Sequence, residues 1–395
     1  GSPIARLFKE QIMRIHVINT TSQASNELLT DACVHIFALC TKLGELDVGG
    51  IGVNSKLSIY NRPSNTCSSS TLSILSVIAA SFDDCLCLLD GRLDKLFSFS
   101  VKIDFISETP SAVDNTKTLP NLSVFSITTG VARGYDNQVL LLIRRMPNLK
   151  NLILCLNVIR MRFIDGIHLE KEILSHLSQL TTFIFHIRTI MPLLYSYHHA
   201  SVDDVQNTFS HWKYGQVNCH VDYFSDKAGQ CHIYSVPFKI EYIYGVTNSF
   251  FGSSFHLVMD LRLFDVRPFE HVYFNWIARA FPLLKYLTID NIIPQEHKAE
   301  IEPVNVNQSS IIYFPRLMTI TLTNAHIDYV HQFLRNINSH VPCFSSLEIN
   351  YKQLVIATNN FTSDLTRVNC VQLKKLLIGE EIVYPKQFYL YFPFL

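Results

Sequence analysis

Charge is scarce in this chain and balanced in sign. Asp, Glu, Lys and Arg make up only 17% of the 395 residues, 33 positive against 33 negative. A nucleic-acid or anionic-lipid surface needs a basic excess, so neither nucleic acid nor membrane is an expected partner. Long apolar runs are missing too. The longest, TLSILSVIAASF at 71–82, is too short and too rich in serine to cross a bilayer. No charged start followed by an apolar stretch resembles a secretory signal. The chain opens Gly1-Ser2-Pro3 without an initiator Met, as a fragment or a processed product would. The ten cysteines never form a C-x-x-C pair, and several sit inside apolar patterns, such as Cys155 in LILCLN. Free cysteine behaves as a small buried hydrophobe, so a reducing compartment, cytoplasmic or nuclear, is expected. Catalytic signatures are equally absent: no G-x-S-x-G elbow, no phosphate-cradling glycine loop and no H-E-x-x-H line. Asp83-Asp84 and Asp203-Asp204 read as solvated helix starts, where carboxylates complement the dipole. Neither enzymatic activity nor a cofactor is expected.

Apolar residues, by contrast, reach 48%, and they recur in a line. FPLLKYLTID at 281–290 and FPRLMTITLT at 314–323 set Leu or Ile at spacings of three and two. The central residues of such L-x-x-L-x-L lines are Ile15, Leu46, Leu75, Leu96, Phe125, Leu152, Phe183, Leu261, Leu287, Ile320, Leu347 and Leu376. Ten of the eleven steps between them fall between 21 and 33 residues, and the exception, 78, spans an irregular insert. A period of this length is the mark of stacked repeats. LKNLILCLNVI at 149–159 carries the full line L-x-x-L-x-L-x-x-N-x-I. Leu149, Leu152 and Leu154 would point one face of a short strand inward, and Asn157 would turn the chain with its amide on backbone groups stranded by the bend. Ile159 would return to the core. Other units keep that last apolar residue, as in Val53, Ile327, Leu354 and Val383, but lack the Asn.

Between the lines the period changes from 2 to 3.6. DYVHQFLRNINSH at 328–340 places Val330, Phe333, Leu334 and Ile337 on one helical stripe, and EHVYFNWIARAF at 270–281 does so with Val272, Trp276, Ile277 and Ala280. The helices should stop before MPNL, FPLL, FPRL and VPCF, because proline cannot continue a helix and forces the preceding residue extended. Outward strand positions are polar: Tyr286, Thr288, Asp290; Thr319, Thr321, Thr323; Ser346, Glu348, Asn350. A doubly wound sheet is covered on both faces and reads as continuous apolar runs. The expected fold is therefore α/β: a leucine-rich-repeat-like (ribonuclease-inhibitor-like) right-handed solenoid of about eleven units, with a parallel concave sheet and outer helices. Repeat units are expected over 1–185 and 257–395, with the irregular insert at 186–256.

Several lines resemble a large invertebrate family of F-box-type leucine-rich-repeat proteins. They are RPFEHVYFNWIARAFPLLKYLTIDNIIPQEHK (267–298), NAHIDYVHQFLRNINSHVPCFSSLEINYKQLVIATNNFT (324–362), VYPKQFYLYFPFL (383–395), FDDCLCLLDGRLDKL (82–96) and FIDGIHLEKEILSHLSQLTTFIFHI (163–187). The resemblance implies a repeat array behind an N-terminal F-box, acting as the substrate receptor of a cullin-RING ubiquitin ligase. The F-box core L-P-x-E-L-L-x-x-I-F has no matching line. NELLTDACVHIF at 26–37 has Glu27, Leu28 and Leu29, but Ile36-Phe37 comes four residues late and a strand line precedes it. It is read as the helix of the first repeat, so a ligase adaptor would join only through an F-box upstream.

Two places could hold a site. The insert carries His186, His198, His199, His211, Cys219, His220, Cys231 and His232. Four such ligands could hold zinc, yet neighbouring residues on a strand face opposite ways. A β-hairpin turning at Asp226–Gly229 is the expected structure, with no metal. The bare sheet face is the other place. Asp260, Arg262, Phe264, Tyr286, Asp290, Glu348, Asn350 and Lys375 would stand in columns on the concave side and bind a protein partner, the chain itself being a monomer.

Overall fold

Strand lines pair in the order in which they occur along the chain. A computed structural model describes residues 11–19, 25–50, 56–63, 65–114, 116–192, 199–224, 228–251, 254–296, 311–380 and 382–395. The fold is α/β and divides into two compact units, Gly1–Tyr223 with Lys227–Val236, and Phe224–Asp226 with Pro237–Leu395. In the first unit β1 (Arg14–Asn19), β2 (Glu45–Gly50), β3 (Ile74–Ala79), β4 (Ser98–Ile106), β5 (Val124–Ala132), β6 (Asn151–Ile159) and β7 (Thr182–Pro192) lie side by side and parallel. The register sets the anchors opposite one another: Ile15 on Leu46, then Leu75, Phe99, Phe125, Leu152 and Phe183. All but Ile15 are buried. Each such side chain contributes about 1.5–3 kcal/mol on leaving water. Connections carry α1 (Asn26–Leu39), α2 (Phe82–Leu88), α3 (Leu140–Arg144), α4 (Gly166–Glu172) and α5 (Val202–Asn207). The segment 26–37 is thus helical and lies between β1 and β2.

The sheet ends differently. β8 (Gln216–Phe224) and β9 (Ala228–Val236) complete it in the order β7–β9–β8, and β9 runs antiparallel to β7. Strands β8 and β9 are neighbours in the sheet as a hairpin requires, but Ala228 and Gly229, expected in its turn, already belong to β9, and Asp226 lies outside the described residues. The stretch read as one insert therefore splits: 216–224 and 228–236 extend the first sheet, whereas 242–246 opens the second.

The second unit repeats the pattern with β10 (Tyr242–Val246), β11 (Asp260–Phe264), β12 (Tyr286–Asn291), β14 (Thr319–Ala325), β16 (Ser346–Glu348) and β17 (Lys375–Leu377), all parallel. A separate two-stranded pair joins β13 (Ile312–Tyr313) to β15 (Ser339–His340). Ile243, Leu261, Leu287, Ile320, Leu347 and Leu376 stand in register. The helices are α6 (His271–Ala280), α7 (Ile327–Leu334), α8 (Tyr351–Ala357), α9 (Asp364–Cys370) and α10 (Lys386–Tyr391).

One turn recurs at the strand entrances. The amides of Leu149, Leu284 and Phe344 donate back three residues to the carbonyls of Met146, Phe281 and Val341, at 3.2, 3.1 and 3.2 Å. Proline sits second in each of these turns, where its fixed φ suits the bend. Leu96 makes the same bond to Leu93 at 3.2 Å. It is therefore the first residue of its line, and the central anchor is Phe99.

Other expectations shift in detail. The buried stripe of α6 is Tyr273, Phe274, Ile277 and Ala280, while Val272 is 76% exposed. Helix α7 stops at Leu334, because Arg335 turns extended and the chain enters β15. Asn157 lies inside β6 and turns nothing. Its Nδ2 donates at 3.3 Å to the Thr129 carbonyl, where the β5–β6 register shifts. Val383 is 97% exposed and returns to no core, and Val53 lies outside the described residues. Asp83, Asp84, Asp203 and Asp204 do open helices. Asp84 is buried rather than solvated, however, and its Oδ1 accepts the amides of Ile59 and Tyr60 at 2.5 and 2.8 Å.

Candidate functional site

On β10 to β17 the apolar residues point to the core, and the residues between them face the other way. Register turns those outward residues into rows across neighbouring strands, roughly 4.8 Å apart. One row runs Tyr242, Asp260, Tyr286, Thr319, Ser346, Lys375. The next runs Tyr244, Arg262, Thr288, Thr321, Glu348, Leu377. Farther along, Phe264 stands opposite Asp290, and Asp290 opposite Asn324. The structure thus brings seven of the eight expected face residues onto four strands of one sheet. Asn350 is elsewhere: it caps α8, its Oδ1 accepting the Lys352 amide at 3.0 Å.

The rows are cross-linked both to each other and along themselves. The Tyr244 hydroxyl donates to Asp260 Oδ2 at 3.3 Å, and the Arg262 guanidinium carbon sits 4.4 Å from the centre of the Tyr244 ring. The Thr321 hydroxyl donates to Glu348 Oε2 at 3.4 Å, and Asn324 donates to Asp290. Arg262, Tyr286 and Lys375 are exposed, so cationic and aromatic groups reach solvent within one face, while Asp260, Asp290 and Glu348 are half-buried on it. Sequence reasoning missed Tyr242 and Tyr244, because the β10 line reads Ile240-x-x-Ile243-x-Gly245. The apolar residue then arrives one place late, at Val246, where the register shifts.

Also missed are the bend residues of this unit. Asn291 is buried; its Nδ2 donates to the Arg267 carbonyl at 2.7 Å and its Oδ1 accepts the Ile293 amide at 2.8 Å. Asp265 occupies the matching place after β11 and accepts the Asn248 amide at 2.8 Å. These two do what the full line assigns to Asn157. A polar residue at or just past the strand's end was the available signal.

The histidines and cysteines of the former insert disperse. Cys219 faces α5, its Sγ donating at 3.4 Å to the Val202 carbonyl, whereas His220 pairs with the Tyr234 hydroxyl at 3.1 Å on the opposite face. Cys231 belongs to the core. His232 Nδ1 instead meets His186 Nε2 at 3.0 Å, and Cys155 Sγ lies 4.0 Å from His186 Nδ1. The sheet face is therefore not bare at this end of the first unit: Cys155, His186, His232 and Gln230 are all buried on it. Burial, reinforced by the Arg188 charge, pulls His186 down to about 3. Burial pushes the Cys155 thiol up to about 12 and Cys219 to about 11. A neutral thiol beside a neutral imidazole is no activated nucleophile. His199 and His211 are exposed, and His198 lies outside the described residues. Among the described residues no group of three or more His, Cys, Asp or Glu is arranged to hold a metal ion. Nor is any described helix long and apolar enough to cross a membrane. The chain matches no known protein-family model, and no curated protein matches it in sequence.

Proposed function

We propose that the chain is a leucine-rich-repeat-like solenoid whose second unit binds another protein through the outward rows of β10 to β17. The observation that carries this reading is the register itself, which sets Tyr242, Asp260, Tyr286 and Lys375 in one row beside Arg262 and Glu348 in the next. Stacked repeats use such surfaces for binding, and Tyr and Arg are favoured interface anchors. The partner implied is a protein of mixed surface charge. By the resemblance to F-box-type repeat proteins, it would be a ubiquitination substrate, the ligase adaptor joining through an F-box outside these residues. A stand-alone recognition or scaffold role is the other form of the same reading. Nine of the ten thiols are buried and all are free, which fits a reducing compartment such as cytoplasm or nucleus.

The test places a photo-crosslinking residue at Thr288, on the rows, and separately at Ile356, on α8 and 63% exposed. The reading expects a discrete protein adduct from position 288 only, lost on Arg262→Glu, and a purified partner that binds with the same dependence. Equal adducts from both positions, or indifference to Arg262→Glu, would contradict it. Co-purification of the ligase adaptor with the natural full-length product separates the ligase form from the stand-alone form.

A further inference from the structure

A second, differently charged place lies in the first unit, where β4 to β7 end. Glu108 stands two residues beyond β4, Arg133 directly follows β5, Arg160 and Arg162 follow β6, and Pro192 closes β7. Backbone pairing fixes the two strand-end arginines: the Arg133 amide donates to the Ile106 carbonyl at 2.9 Å and the Arg160 amide to Ile190 at 3.0 Å. With Asp136 these residues line one cavity of about 440 Å³. That volume lies within the range of small-molecule pockets.

The charges in it are unevenly satisfied. Arg160 is half-buried and held, its Nε donating to Asp136 Oδ2 at 3.0 Å and its Nη1 to the Arg162 carbonyl at 3.4 Å. Arg133 and Arg162 are exposed, and among the described residues neither makes an ion pair with a carboxylate. Once Asp136 is assigned to Arg160, two guanidinium groups and one carboxylate, Glu108, line the cavity without an ion-pair partner among the described residues. In a chain of zero net charge this is a local cationic excess built by alignment of strand ends. A carboxylate ligand offers two oxygens in one plane and a single charge. A phosphoryl group offers three oxygens and nearly two charges, which matches guanidinium forks arriving from different strands.

We infer that this cavity binds a small phosphate-bearing ligand, with Arg133 and Arg162 as the principal contacts and Arg160, pre-set by Asp136, as the third. The inference is independent of the protein-binding reading of the other unit.

Calorimetric titration of the whole chain with inorganic phosphate and with glycerol phosphate, against chloride at matched ionic strength, tests it. The expected result is saturable one-to-one binding, weakened at least tenfold in Arg133→Gln/Arg162→Gln while the melting transition stays in place. Glu108→Gln, which removes the opposing charge, should bind several-fold tighter. Preference for glycerol phosphate would mark an ester as the ligand, and preference for phosphate the free anion. Absence of saturable binding to both, wild-type affinity in the double variant, or weaker binding by Glu108→Gln would overturn the assignment.

Discussion

Arg262 lies across the ring of Tyr244, 4.4 Å from its centre, on the neighbouring strand and in direct register. The same tyrosine donates its hydroxyl to Asp260. A cation over an aromatic face contributes about 0.5–1 kcal/mol where solvent reaches the cation. A double-mutant cycle of Tyr244→Leu and Arg262→Gln, read by urea unfolding, should return a coupling of that size. Tyr244→Phe removes the hydroxyl but leaves the ring, so its coupling to Arg262 should survive.

Leu287 is buried at the centre of its row of anchors, and Thr288, the next residue, faces outward. Leu287→Ala should destabilise the chain by about 2–5 kcal/mol, since a cavity is left between fixed neighbours. Thr288→Ala should stay within about 0.5 kcal/mol. Urea midpoints for the two variants measure the difference, which reports directly on which strand face is packed.

How much of this was legible in the sequence depends on residue type. Leu46, Leu152, Leu287 and Leu347 are readable as anchors because apolar alternation and burial coincide in them. The line at 93–101 misleads because the Leu93–Leu96 turn imitates the spacing of three, one step ahead of the true anchor Phe99. Ile243 is hidden by Gly245 and the register shift behind it. The α6 stripe is displaced by about one residue because Trp276 and Val272 look more apolar than the Tyr273 that is actually buried. Among site residues, Asp260, Arg262, Tyr286 and Lys375 follow from alternation alone. The buried His186–His232 contact does not, since it needs the antiparallel pairing of β7 with β9.

Burial of His186, reinforced by the Arg188 charge, makes one part of the acid response, alongside His168 and His220, which burial also lowers. His186 titrates near 6.5 when unfolded but only near 3 when buried, so the folded chain binds its proton less readily than the unfolded chain. Stability from this group is complete above pH 6.5 and is lost as pH falls from there toward 3. The slope is about 1.4 kcal/mol per pH unit at most. Urea unfolding between pH 7 and pH 4 should show the decline, and His186→Gln should make it shallower, with His168 and His220 supplying what is left.

Thiol chemistry gives a further check. Cys343 is the single exposed cysteine, and its Sγ donates to the Pro315 carbonyl at 3.3 Å. Burial pushes Cys33 to about 12 and Cys67 to about 11, leaving little thiolate at working pH. With a thiol reagent at pH 8, one group should react fast and nine slowly, and all ten should react in denaturant. Cys343→Ser should abolish the fast phase.

The pairing of repeated lines in chain order is best tested by cross-linking in a Cys343→Ser background. Thr288 is the register partner of Thr321, and Thr321 of Glu348. Cysteines at 288 and 321, or at 321 and 348, stand one strand spacing apart, roughly 4.8 Å, whereas 288 and 348 stand two apart. With a bifunctional thiol reagent only long enough for one spacing, the first two pairs should link efficiently and the third should not. Linking of 288 to 348 as readily as 288 to 321, or failure of both adjacent pairs, would contradict the arrangement on which the proposed binding face depends.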